Sequence, residues 1–277
     1  MFLAEPPATS FDFHFQIFGI PVRVTPFFWV AAAVLGWDFA AWLDRQLDSM
    51  AGSSLEVLSA SNPGQGMLLL LWIAAVFASI LVHELGHSLM MRGYGIRSYI
   101  VLYHFGGLAV PDTAKTFVRF GGFTRPQQQI AISAAGPAAQ LLLVAVLVLA
   151  LRLSDAALLW SPTLLDPVVS VTEGRQIPSA PLQALLLALL VPNVGWALLN
   201  LLPIYPLDGG QIARELFSLF DARDGTRNSL ILSVVAGAGV AVYAYTSGDV
   251  FLAMMFAMLA YSSYQVLQAF HGRGGPW

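Results

Sequence analysis

Residues 83–87 read His83-Glu84-Leu85-Gly86-His87. Side chains four apart on a helix lie roughly 40° apart around its axis. Both imidazoles therefore reach one metal ion from one face. Glu84 adjoins His83 and is placed to take a proton from a water on that metal. The chemistry this spacing serves is metal-assisted hydrolysis. The alternative is an accidental pair of helix histidines. The setting weighs against it, because the motif lies inside an apolar run, where ionisable groups are costly and need partners. With no cysteine in the chain, every ligand must be His, Asp or Glu. A catalytic zinc takes three protein ligands and keeps one position open. Asp208, in Leu207-Asp208-Gly209-Gly210, is the candidate for the third. Its alternative is an N-cap for a helix over residues 212–219.

These residues need elements to carry them. Of 277 residues, 57% are hydrophobic and 10% charged, where a soluble domain carries roughly 25% charged residues. Mean hydropathy is +0.70. That excludes a disordered chain and an ordinary soluble enzyme. A net charge of −3 without a basic run gives no footprint for nucleic acid. Six apolar runs are long enough to span a membrane, at about 26–42, 67–91, 130–151, 182–202, 230–245 and 250–270. The expected fold is thus an all-α polytopic membrane protein of about six transmembrane helices. A small β-hairpin or sheet is expected at the cytoplasmic membrane face. Phe13, Phe15 and Ile17 alternate, Ile20 to Val24 is β-prone, and two further β-prone runs flank Gly106-Gly107, which reads as a hairpin turn. The stretch Asp155 to Ala180 carries short apolar pieces, Leu158–Trp160 and Pro167–Val171, suited to the membrane surface. The N-terminal MFLAEPPATSFDFHFQ lacks the basic start and apolar core of a cleavable signal peptide. The organisation expected is one integral unit: a strand segment over 1–25, a core over 26–227 and a two-helix hairpin over 228–277.

With the N-terminus in the cytoplasm, ten cations fall on that side (Arg23, Arg92, Arg97, Lys115, Arg119, Arg125, Arg214, Arg223, Arg227, Arg273). Three fall opposite (Arg45, Arg152, Arg175). The positive-inside rule then puts both termini in the cytoplasm. His87 precedes Arg92 by five residues and Asp208 precedes Arg214 by six. At about 1.5 Å per residue, both lie roughly 7–9 Å inside cationic flanks on one side. Two segments far apart in sequence so meet at one depth. Pro203 and Pro206 each remove a backbone donor and open the helix end that offers Asp208.

Asn193 and Asn200 are seven apart and share a helix face. They suit contact with a substrate backbone or an oxyanion, or hydrogen bonding between helices. A free strand edge holds an extended peptide through main-chain hydrogen bonds. Gly107, Leu108 and Ala109 are the candidate edge, with an ordinary interfacial hairpin as the alternative. Gly237 and Gly239 suggest close helix approach.

HELGH within one apolar helix and NLLPIYPLDGG at the end of a later one together resemble the site-2 protease family of intramembrane zinc metalloproteases. The likeness extends over about residues 20 to 227. Carried over by position, it implies Zn2+ held by His83, His87 and Asp208, with Glu84 as catalytic base, and it favours a functional role for Asn200. Where the family often has an Asn after Gly-Pro, this chain has Gln140 after Gly136-Pro137. The short loops and the end at Trp277 leave no room for PDZ or CBS domains, so a minimal core is expected. The resemblance implies a transmembrane-protein substrate in a bacterial plasma membrane, such as an anti-sigma factor or a membrane-tethered regulator. The competing readings are a non-proteolytic metal-binding protein or transporter, and hydrolysis of another amide or ester such as a lipid.

Overall fold

In a bilayer every backbone N–H and C=O must pair within its own segment or with a neighbouring strand, so the apolar runs become helices. The computed structural model describes residues 5–104, 106–112, 126–162, 165, 169–221 and 223–272. Lys115, Arg119, Arg125, Pro167, Arg273 and Trp277, used above, lie outside the described residues.

The elements run β1 (Phe13–Ile17), β2 (Ile20–Val24), α1 (Pro26–Asp48), α2 (Glu56–Ala60), α3 (Gln65–Gly93), β3 (Ser98–Tyr103), β4 (Gly106–Pro111), α4 (Pro126–Leu153), β5 (Ala156–Ala157), β6 (Arg175–Gln176), α5 (Ala180–Asn200), α6 (Asp208–Phe220), α7 (Gly225–Thr246) and α8 (Val250–Gly272). Six helices are long and apolar enough to cross a membrane: α1, α3, α4, α5, α7 and the Val250–Ala269 part of α8. They match the six expected runs, with ends extended by up to six residues. Their outward side chains are apolar, as at Val34 (69% exposed), Leu142 (66%) and Val235 (65%). The polar side chains in the middle of α3 and α4, such as Ser79, His83, Glu84, Ser133 and Gln140, are buried instead. Lipid, not water, is the solvent that this pattern fits.

Helix packing is close where side chains are small. A Cβ on Gly36 would overlap the Trp72 indole, and Trp72 Nε1 donates to Ala32 O at 3.1 Å, which joins α1 to α3. A Cβ on Gly86 would overlap the Ala135 carbonyl, which sets the α3–α4 seam. In the α7–α8 pair a Cβ on Gly237 would sit 3.1 Å from Ala260 Cβ, while Gly239 faces open space. Of the two glycines read for close approach, only Gly237 serves it.

Two strands do precede α1. They turn through Phe18 and Gly19, with φ of 52° and 74°, the left-handed pair a two-residue hairpin requires. The four-stranded sheet has the order β1-β2-β3-β4. β2 and β3 pair in parallel, Val22 opposite Ile100, and β3 and β4 pair antiparallel, Ile100 opposite Ala109 and Leu102 opposite Gly107. Ile20, Val22, Val24, Ile100 and Leu102 pack one sheet face onto Val76, Ile80, Leu81 and Leu85 of α3. Arg23 holds Glu5 at 2.8 Å and Asp12 at 3.0 Å. Tyr99 donates to Glu5 at 2.6 Å, which pushes its phenol up to about 12.

One expectation is corrected. Gly106-Gly107 is not the turn of the second hairpin but the start of β4. Gly107 is needed there because a Cβ would strike Glu84. The stretch after α4 packs against the neighbouring helices. Leu158, Val171 and Ile177 are buried against Val144, Leu151, Leu190 and Val194, so this stretch caps α4 and α5. Gln183 of α5 secures it, accepting from Leu159 N at 2.9 Å and donating to Ile177 O at 3.1 Å.

Candidate metal centre

The helix of α3 puts His83 and His87 one turn apart, and Asp208 arrives from the far side at the first residue of α6. His83 Nε2 and His87 Nε2 are 3.0 Å apart. Asp208 Oδ2 lies 3.2 Å from His83 Nε2, and its Oδ1 lies 3.4 Å from His87 Nε2. All three residues are buried. Among the described residues this is the one group of three metal-ligating side chains whose ligand atoms all lie within 4.8 Å of one another.

The other ring nitrogens are already engaged. His83 Nδ1–H donates to Gln140 Oε1 at 2.9 Å, and His87 Nδ1–H donates to Ile132 O at 2.7 Å. With Nδ1 carrying the proton, each Nε2 presents a lone pair. Two lone pairs and a carboxylate thus converge in one buried place. One proton would satisfy a pair of them and leave the third group repelled. A divalent cation satisfies all three, and a set of two imidazoles and one carboxylate with a free position suits catalytic zinc. The residues present therefore fit the metal.

The supporting carbonyl sits beside a break in the helical ladder. Pro137 lies inside α4 and takes the helical donor from Ser133 O. Ile132 O, the carbonyl just before it, turns to His87. Gly136 is the close-approach residue, since a Cβ there would overlap the imidazoles of both His87 and His83. Gln140 is fully buried and its amide also donates to Ser79 O at 3.5 Å.

Asp208 is not an N-cap. Leu207 occupies that position, no side chain caps the helix, and α6 begins at 208 rather than 212. The carboxylate is left for the imidazoles. The preceding loop folds tightly back, because a Cβ on Gly209 would overlap Leu201 O and one on Gly210 would overlap Ile204 and Tyr205 backbone.

Glu84 is buried beside the two histidines, and its carboxylate accepts the Ala109 N–H of β4. Ala109 so turns its N–H away from β3. The outer edge of β4 faces Glu84, with Gly107 against the carboxylate and Leu108 half-buried between them. Asn193 is corrected. It is 0% exposed, and its amide donates to Ser79 Oγ at 2.7 Å and Leu189 O at 2.7 Å. It joins α5 to α3 and has no surface for a substrate. Asn200 ends α5, half-buried, and its side chain has no hydrogen-bond partner among the described residues.

The supporting roles of Gly136 and Ile132 O were not read from sequence, and Gln140 was marked only by its place after Gly136-Pro137. Gly136-Pro137 inside an apolar helix was the signal for all three, since it marks both a close approach and a disturbed carbonyl.

Comparison with known proteins completes the assignment. Over 203 residues the chain is 30% identical to a protein of Synechocystis sp. provisionally named a zinc metalloprotease, covering 73% of this chain and 42% of that protein. Over 144 residues it is 26% identical to a zinc metalloprotease of Methanocaldococcus jannaschii, covering 52% of this chain and 33% of that one. The chain thus spans less than half the length of these relatives. The solved structure of the site-2 protease from Methanocaldococcus jannaschii aligns with 22% identity and a TM-score of 0.45, over 93% of this chain and 95% of that one. The model of Peptidase family M50 matches residues 71–244. With that match and six helices apolar enough to span a bilayer, the chain belongs to Peptidase family M50 and is an integral multi-pass membrane protein.

Proposed function

We propose that this chain is an intramembrane zinc endopeptidase that hydrolyses peptide bonds in or near transmembrane segments of membrane proteins, in regulated intramembrane proteolysis. The observation that carries the reading is the convergence of two imidazole Nε2 atoms and one carboxylate, with both Nδ1 atoms engaged elsewhere. His83, His87 and Asp208 would hold the ion. Bound there, zinc supplies a Lewis acid and an acidified water.

Glu84 accepts the proton of the attacking water and returns it to the leaving amine. It adjoins a ligand in sequence and is buried with the ligands, so proton transfer is short. An extended peptide would lie along the outer edge of β4, pairing with the backbone of Gly107 and the carbonyl of Ala109 past Leu108. That edge favours a peptide over a lipid as substrate. The lack of a side chain at Gly107 lets the peptide and Glu84 share one space. Asn200 is the remaining candidate for a substrate contact from α5. Both termini lie in the cytoplasm of a bacterial cell in this reading, and an anti-sigma factor or membrane-tethered regulator is the kind of substrate it suits.

The test is metal analysis of detergent-purified protein with cleavage assays on single-span peptides, with and without a chelator. Glu84→Gln is expected to keep zinc and lose cleavage by about 100-fold or more. Near wild-type cleavage by that variant overturns the mechanism. Zinc occupancy with ion flux and no hydrolysis would support a transporter instead.

A further inference from the structure

The loop that delivers Asp208 has an accounting problem, and its solution lies in α7 and α8. Pro203 and Pro206 have no N–H to give. Tyr205 stands between them with an N–H and a C=O that neither a helix nor a strand takes. A buried backbone group left unpaired is costly. Ser233 Oγ of α7 accepts the Tyr205 N–H at 3.0 Å, and Ser263 Oγ of α8 donates to Tyr205 O at 2.7 Å. The hydroxyls are used consistently, because Ser233 gives its own proton to Ser229 O at 2.8 Å. Ser233 is 1% exposed and Ser263 0%. One serine from each helix therefore grips the two sides of one peptide residue, three positions before Asp208.

The grip is transmitted rigidly. Gly210 brings the first turn of α6 against the Ile204 and Tyr205 backbone, and Ile204 is fully buried. A shift of Tyr205 must carry the start of α6 and the carboxylate with it. The two serines also stand on helices that hold each other at Gly237 and Ala260.

We propose that Ser233 and Ser263 are positioning residues for Asp208, so that docking of the α7–α8 hairpin sets the metal affinity of the site. The proposal rests on the reading of His83, His87 and Asp208 as metal ligands. Its test uses the full chain in detergent, with Ser233→Ala, Ser263→Ala and the double variant. Ser229→Ala is the control, since among the described residues its hydroxyl bonds only to Thr226 O on its own helix. Zinc affinity is read by chelator competition, ligand geometry by the visible spectrum of the Co2+ form, and fold by thermal unfolding of the metal-free protein. The double variant is expected to bind zinc 10–100-fold more weakly, as for other groups that orient a ligand, with altered cobalt bands. A merely structural role would lower metal-free stability and leave the bands of the folded protein unchanged. Wild-type affinity and spectrum in the double variant overturn the proposal. If the double variant does not fold, the single variants decide by the same two readouts. A wild-type chain that binds no zinc instead sinks the metal-centre reading itself.

Discussion

His83 and His87 stand on an unbroken helix, whereas Asp208 stands where one helix has ended and another begins. On α3 the spacing of the ligands is a property of the helix, and nothing distant is needed to bring the two imidazoles together. What distant residues do there is aim them: Gln140 and Ile132 O from α4 fix the proton-bearing nitrogens, and Gly136 leaves the space. On the other side, the position of the carboxylate is assembled from two prolines, two tight glycines and two serines from other helices. Local geometry sets one half of the centre and tertiary contacts set the other. The halves should accordingly fail in different ways.

The largest effect is expected from Gly136→Ala. If the helical half depended on spacing alone, one methyl on a neighbouring helix would be harmless. The added carbon would instead occupy the space between the rings. Zinc binding is expected to fall by more than the ~100-fold typical of lost outer-shell support, as measured by metal analysis and chelator competition. Undiminished zinc in this variant breaks the comparison. Gln140→Leu is milder, because it keeps both ligands and releases only His83. A loss of about 10–100-fold in zinc affinity is expected, with the cobalt spectrum reporting a less ordered site. Trp72→Phe is milder still. It removes the hydrogen bond to Ala32 O at the α1–α3 seam, away from both halves. A loss of about 1 kcal/mol in stability is expected, read by thermal unfolding, with zinc affinity unchanged.

The legible features in the sequence were those that local rules determine. Six apolar runs gave six helices, and the four-residue spacing gave the histidine pair. Asp208 was also legible, because its depth relative to Arg214 matches that of His87 relative to Arg92. What failed depended on partners that no local rule supplies. Gly106-Gly107 is as good a turn as it is a close approach, and only Glu84 packed against Gly107 decides between them. Asn193 could face a substrate or a helix, and the choice rests on Ser79 lying opposite. Leu158 and Val171 are buried by α4 and α5, contacts that the stretch itself does not encode. Tyr205 carried no signal at all, since its role belongs to its backbone.

The parallel pairing of β2 with β3 bears on how the chain is made. Val22 and its partner Ile100 are 78 positions apart, and two membrane-crossing helices, α1 and α3, lie between them. Only an even number of crossings returns the strands to the same side. At about 5–20 residues per second of synthesis, the first ribbon waits some seconds before its partner exists, and two strands alone are barely stable. Completion of the sheet therefore acts as a parity check on insertion. A molecule that missed one crossing could not close it, and would leave bare strand edges for quality-control proteases to find.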